Sequence, residues 1–151
     1  MNRQLEEAQE FSNLSYAEEF EELQCVGRGN FGAAFIVKLR NSPENIYYVA
    51  KKIVQAQLSQ KEQEGAYLES MLLRKLDHPH IVSYRTSFFE KGELIIIMEF
   101  CEMGDLANQV KKAKKEGRHF TESQIMQWFV QLCMSLEYIH RKKILHRDLK
   151  S

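Results

Sequence analysis

The chain has 151 residues, of which 44% are hydrophobic, 28% charged and 11% aromatic. This composition excludes disordered and low-complexity chains, because it supplies enough apolar side chain for a packed core. The 21 basic residues balance 21 acidic ones, so the net charge gives no reason to expect a nucleic-acid partner. The sequence has no apolar run of the roughly 18 to 20 residues that membrane insertion requires. The N-terminus resembles no signal peptide, and three scattered cysteines lack metal-ligand spacing, so we expect a cytoplasmic globular protein.

The first half of the chain predicts strands interrupted by one helix. Residues before Phe20 are glutamate-rich and predict a short helix or a loose extension. Apolar, β-branched and aromatic residues then predict three strands, over 23–26, 34–39 and 46–53. Ser59 and Glu62 have the spacing of a capping box, so a helix should begin there. Two further strands, 81–89 and 94–99, are expected to form a hairpin across residues 90–93.

After Gly104 the pattern is helical. Asp105 can cap a short helix that ends near residue 115, and Thr121 with Gln124 forms a second capping box. The helix that Thr121 opens should run to about Arg141, because its apolar residues recur at helical spacing. The predicted order is three strands, a helix, two strands, and then helices.

A glycine cluster lies between the first two strands, at Gly27, Gly29 and Gly32. The G-x-G-x-x-G spacing is most often a dinucleotide-binding turn, which needs a helix after the third glycine. Residues 33–40 have no helical period and predict a strand instead. The glycines therefore indicate a hairpin whose backbone could cover phosphate oxygens; the alternative is a hairpin without a ligand.

The third strand carries two adjacent lysines, Lys51 and Lys52. Because strand side chains alternate, Ala50 and Lys52 share one face and Lys51 takes the other. We assign Ala50 and Lys52 to the functional face, with adenine packed on the alanine and the ammonium at phosphates. Glu69 lies on the inner side of the predicted helix and is the expected partner of Lys52. The alternatives are a solvated pair of lysines and a solvated carboxylate.

The last motif is His146-Arg147-Asp148-Leu149-Lys150. An aspartate in such a loop can accept a hydroxyl proton, and a lysine two residues later can neutralise a phosphoryl group in transfer. The alternative is a basic loop without a catalytic role.

Taken together, G-x-G-x-F-G, V-A-x-K, the helix glutamate and H-R-D-L-K resemble the eukaryotic protein kinase family over about residues 20–151. Lys150 after H-R-D-L resembles serine/threonine kinases. Finer features resemble the NIMA-related (NEK) kinases, namely Ala34, the run 97–106, the run 127–132 and the run 144–150.

The resemblance implies an α+β fold with a five-stranded antiparallel sheet and one helix, followed by the first helices of a truncated second lobe. It implies an N-terminal extension over 1–19, an N-lobe over about 20–99, a hinge over about 99–104 and an incomplete C-lobe over about 105–151. The residues expected to act in catalysis are Asp148 as base, Lys150, Lys52 and Glu69. Those expected to bind ATP are Val26, Gly27, Arg28, Gly29, Asn30, Phe31, Gly32, Ala34, Ala50, Lys52, Met98, Glu99 and Cys101.

The implied function is ATP-dependent phosphorylation of serine or threonine in protein substrates, with Mg²⁺ as a second cofactor. The asparagine and D-F-G aspartate that hold magnesium in this family would lie beyond Ser151. We therefore expect a fragment that is inactive alone, whose exposed helix could attract chaperones, and we assign no metal ligand within it. The alternative is a short non-catalytic product that acts as a binding or regulatory module. Family resemblance also suggests the centrosome, cilium or nucleus as locations.

Overall fold

The computed structural model describes residues 15–29, 32–147 and 149. Their order is one short helix, three strands, a helix, a pair of strands and two helices, with a 3₁₀ turn at Gln55–Gln57. The strands are β1 (Phe20–Gly29), β2 (Gly32–Leu39), β3 (Tyr47–Val54), β4 (Tyr84–Glu90) and β5 (Glu93–Glu99). The helices are α1 (Tyr16–Glu19), α2 (Gln60–Arg74), α3 (Leu106–Lys115) and α4 (Glu122–Arg141). The α+β fold class predicted from the sequence is confirmed.

The five strands form one antiparallel sheet in the order β1-β2-β3-β5-β4. The hairpin between β4 and β5 turns at Lys91 and Gly92, both with positive φ, which is the backbone of a tight two-residue hairpin. In the β3–β5 register, Lys51 lies opposite Ile96 and Ala50 lies opposite Ile97. Residues opposite each other share a face, so this register divides the sheet into two faces.

Both faces of the sheet are apolar. One face, which we call the α1 face, carries a core cluster of Tyr16, Phe20, Val37, Ala50, Phe88, Ile95 and Ile97. The other, the α2 face, carries Ile53, Leu94 and Ile96, with Leu58 and Ala66 packed against them. A sheet covered on both sides has no solvent-facing row of polar residues to mark its orientation.

Helix α1 belongs to the core in spite of its length. Tyr16 is 5% exposed, with its ring 6.0 Å from that of Phe20 and 5.8 Å from that of Phe88. Ser15 and Glu18 form a capping box at its start. The Arg40 Nε donates to the carbonyls of Ala17 and Phe20, at 3.0 and 3.1 Å. The residues just before β1 are therefore fixed to the sheet.

The predicted helix caps are confirmed. The Ser59 side chain accepts from the Glu62 amide, and the Glu62 carboxylate accepts from the Ser59 amide. Hydrogen bonds from Ser59 hold the pKa of Glu62 below its ordinary value. Asp105 caps α3, and Thr121 with Gln124 forms the capping box of α4.

The chain divides into two compact units. The first contains the described residues up to Leu76 together with Ser83–Phe100, and the second contains Asp77–Val82 together with the described residues from Cys101 onward. Within the second unit, the Asp77 amide donates to the Tyr138 hydroxyl at 2.9 Å, and the Ser135 hydroxyl donates to the His80 carbonyl at 2.9 Å. These bonds join the segment 77–82 to α4. Over the described part of the chain, no helix has both the length and the apolar character of a membrane span.

Candidate functional site

The first unit contains a cavity of about 570 Å³ beneath the glycine hairpin. Small-molecule sites usually have volumes of about 300–1,000 Å³, so this one is large enough for a nucleotide. Its wall combines the hairpin, strand β3 and helix α2, through Gly27, Arg28, Gly29, Gly32, Ala33, Ala34, Lys51, Lys52, Ile53, Leu58, Glu62, Ala66 and Glu69.

An ion pair joins β3 to α2 in the wall of this cavity. The Lys51 Nζ lies 2.8 Å from Glu69 Oε1, a charge-assisted hydrogen bond of good length. The two side chains are 41% and 52% exposed, so water screens the pair and it contributes at most about 1 kcal/mol to folding. Because the Lys51 side chain is this exposed and lines the cavity, its ammonium is accessible to a ligand there.

The predicted pairing of Lys52 with Glu69 is wrong. The Lys52 Nζ forms a short ion pair with Glu22 on β1, and it lies 4.7 Å from the centre of the Tyr16 ring and 5.3 Å from that of Phe35. Cation–π contacts of this kind add to the attraction of the carboxylate. The Lys52 ammonium therefore lies on the α1 face, although other atoms of the residue border the cavity.

The assignment of Ala50 to the adenine pocket is contradicted for the same reason. Ala50 is fully buried in the α1-face cluster, so no ligand on the α2 face can contact its methyl group. Its neighbour Val49 lies on the α2 face, opposite Met98 in the register of β3 and β5, although it is not among the residues of the cavity wall. The predicted alternation along β3 was correct, but the two faces were exchanged.

Four of the predicted hairpin residues, together with Ala34, line the cavity as expected from the sequence. A Cβ on Gly32 would lie 1.8 Å from the Lys52 carbonyl oxygen, so only glycine permits this approach of β2 to β3. Val26 has no partner in the β1–β2 register, between Cys25 and Gly27, and it is half exposed and outside the cavity wall.

The remaining predicted residues are distributed along the chain. Met98 and Glu99 end β5 in the first unit, and Cys101 belongs to the second. Asn30, Phe31, Asp148 and Lys150 lie outside the described residues. Sequence reasoning missed Lys51, which lines the cavity. The apolar series Ile53, Ile96 and Met98 shares its face, but Ala50, Ile95 and Ile97 form an equally apolar series on the other face. The apolar pattern therefore holds no signal that selects Lys51 over Lys52.

The chemistry of the cavity suits a phosphate chain. A paired ammonium provides positive charge, and the glycine hairpin allows backbone amides to approach phosphate oxygens without side-chain obstruction. The described residues contain no candidate metal site, that is, no group of three or more His, Cys, Asp or Glu side chains that could hold a metal ion.

Comparison with known proteins gives one family and several close relatives. The model of the protein kinase domain matches residues 20–151. Serine/threonine-protein kinase Nek1 of Mus musculus is 42% identical over 134 residues, covering 89% of this chain and 11% of Nek1. Nek11 of Homo sapiens is 41% identical over 129 residues, 85% of this chain and 20% of Nek11. Nek4 of Mus musculus is 44% identical over 131 residues, 85% of this chain and 16% of Nek4. The chain therefore spans a fifth or less of these three curated relatives.

Proposed function

The chain belongs to the protein kinase family as a NEK-like member, and on this premise we propose that it binds ATP beneath the glycine hairpin and serves phosphoryl transfer to protein serine or threonine. The observation that carries the proposal is the ion pair between Lys51 and Glu69 in the cavity wall. Kinases of this family require a strand lysine paired with a helix glutamate for activity.

In this proposal, Lys51 takes the role that the sequence pattern had assigned to Lys52. Its ammonium would contact phosphate oxygens, and Glu69 would keep it extended from β3 toward the ligand. The hairpin glycines would let main-chain amides approach the same phosphates. On the adenine side, Ala34 lies opposite Lys51 in the β2–β3 register and therefore shares its face.

The proton-transfer step of the proposal depends on the H-R-D-L-K motif. Asp148 would accept the proton of the substrate hydroxyl, and Lys150 would neutralise charge on the phosphoryl group. ATP supplies that group when it is bound with magnesium, as in other members of the family.

The test replaces each of the two lysines with methionine in a separate variant. Lys51→Met should lower the affinity of the chain for a fluorescent ATP analogue and reduce phosphorylation by the full-length gene product at least about 10²-fold, since it removes a positioned charge. Lys52→Met is the matched control, because its ammonium contacts the α1 face. It should retain most of both activities.

Two outcomes would overturn parts of the proposal. If Lys52→Met abolished ATP binding and Lys51→Met left it intact, the assignment of the two lysines would be wrong. If the full-length gene product bound ATP without phosphorylating protein, the non-catalytic module would be the better description.

A further inference from the structure

Helix α3 has one strongly basic face. Its ten residues include Lys111, Lys112, Lys114 and Lys115 and no acidic residue. All four lysines are exposed, whereas Ala113 is 3% exposed. At 3.6 residues per turn, the lysines span about 160° around the helix, opposite Ala113. We call these four residues the lysine face.

The stability of α3 does not explain this much charge. Lysines in the last turn interact favourably with the helix dipole, but Lys111 and Lys115 are four residues apart, and like charges at that spacing oppose helix formation. The spacing of Lys111 and Lys114, and of Lys112 and Lys115, has the same effect. The positions four residues before them carry no acidic side chain to compensate.

The lysine face also lacks anionic partners within the described residues. No ion pair joins any of the four lysines to a carboxylate there. The nearest acidic residue in the sequence, Glu116, is paired with Arg118. An anionic partner would therefore remove a repulsion without first breaking an ion pair.

We propose that the lysine face binds an acidic segment of a partner protein. Successive turns of α3 repeat about every 5.4 Å, and side chains on one face of an extended peptide repeat about every 6.6 Å. Carboxylates on alternate residues of an extended segment can thus reach lysines on successive turns. Lysine stems are flexible enough to absorb the remaining difference in spacing.

Other anionic partners fit the charge and composition of this chain less well. Nucleic-acid-binding domains are usually strongly basic overall, whereas this chain has a formal net charge of zero. A helix that lies on a membrane has large apolar or aromatic residues opposite its lysines. Here the opposite side carries only two exposed large apolar residues, Leu106 and Val110, and no aromatic residue, while Ala113 is buried and cannot contact lipid.

The test measures binding of the chain to a fluorescein-labelled peptide in which glutamate alternates with serine, by fluorescence anisotropy. Replacing the four lysines with glutamine should weaken binding about ten- to a hundred-fold, since each exposed ion pair contributes modestly. The affinity of the unmodified chain should fall as ionic strength rises to about 0.15 M. The double variant Lys111→Gln/Lys115→Gln should give a smaller loss, and circular dichroism will confirm that each variant is folded.

The matched control removes four exposed lysines elsewhere, at Lys61, Lys75, Lys91 and Lys143. It changes the net charge equally and should leave peptide binding within about two-fold. If the quadruple variant of the lysine face and the control variant lost the same affinity for the peptide, the effect would be one of net charge alone and the proposal would be overturned. It would also be overturned by no binding of the peptide at low ionic strength, or by tighter binding of duplex DNA or phosphatidylserine vesicles through the same lysines.

Discussion

Tyr16 should be one of the most important residues for the stability of the sheet, although it lies in a four-residue helix. Its side chain is 95% buried between Phe20 and Phe88. Burial of an aromatic side chain removes about 150–250 Å² from water, which at about 25 cal/mol per Å² stabilises the fold by about 4–6 kcal/mol. Part of that area is polar, and the surrounding side chains can partly fill the space that the ring leaves. We therefore expect Tyr16→Ala to lower the free energy of unfolding by about 3–5 kcal/mol.

The assay is hydrogen exchange of the Ile95, Ile96 and Ile97 amides in β5, measured with increasing urea. Tyr47→Ala is the control, because Tyr47 is 39% exposed and its truncation should cost about 1 kcal/mol or less. If Tyr16→Ala lowered the free energy of unfolding by less than about 1 kcal/mol, the conclusion that α1 is part of the core would be refuted.

Tyr16→Phe keeps the aromatic ring and removes only the hydroxyl, so it measures the contribution of the hydroxyl to stability. The hydroxyl is buried and forms no hydrogen bond of good geometry with the described residues, so its removal should leave the stability at pH 7 equal or higher. Burial, followed by the charge of Glu22, raises the pKa of Tyr16 well above its ordinary value. The unfolded chain therefore releases this proton first, and the unmodified chain should lose stability as the pH rises above about 10. Tyr16→Phe should show a smaller loss, and an unchanged alkaline profile would contradict this account.

Further predictions concern the cap of α2 and two glycines. Ser59→Ala should destabilise the chain by about 1 kcal/mol in thermal unfolding at pH 7. Because Ser59 lowers the pKa of Glu62, the difference from the unmodified chain should shrink as the pH falls below the ordinary glutamate value of about 4.3. Gly32→Ala should distort the hairpin and weaken binding of the ATP analogue, since its Cβ would collide with the Lys52 carbonyl. Gly65 lies in α2 with open space around an added Cβ, so Gly65→Ala should instead stabilise the chain by about 0.4–1 kcal/mol. Calorimetric unfolding of Gly32→Ala and Gly65→Ala tests both predictions.

The elements of this fold could be predicted because their signals are local. A capping box needs only residues three apart, and the boxes at Ser59 and Thr121 form as predicted. The glycine cluster was correctly assigned to a hairpin, since residues 33–40 lack a helical period, although Gly27 and Gly29 belong to the end of β1 and Gly32 begins β2. The role of Tyr16 could not be predicted in this way, because its burial depends on Phe88, which is distant in sequence and close only in the folded sheet.

The exchange of Lys51 and Lys52 has a different cause. Alternation places two neighbouring lysines on opposite faces, but it identifies the ligand side only if one face is visibly polar. Here Ala50 packs with Ile97 on one face, and Ile53 packs with Ile96 on the other, so the apolar pattern supports either orientation. A carboxylate is also available on each side, Glu22 for Lys52 and Glu69 for Lys51. What distinguishes the lysines is their surroundings: Lys52 is 18% exposed between aromatic rings, and Lys51 is 41% exposed beside the cavity. A ligand in the cavity would therefore meet the ammonium of Lys51, whereas the ammonium of Lys52 is held by Glu22 beside the rings of Tyr16 and Phe35.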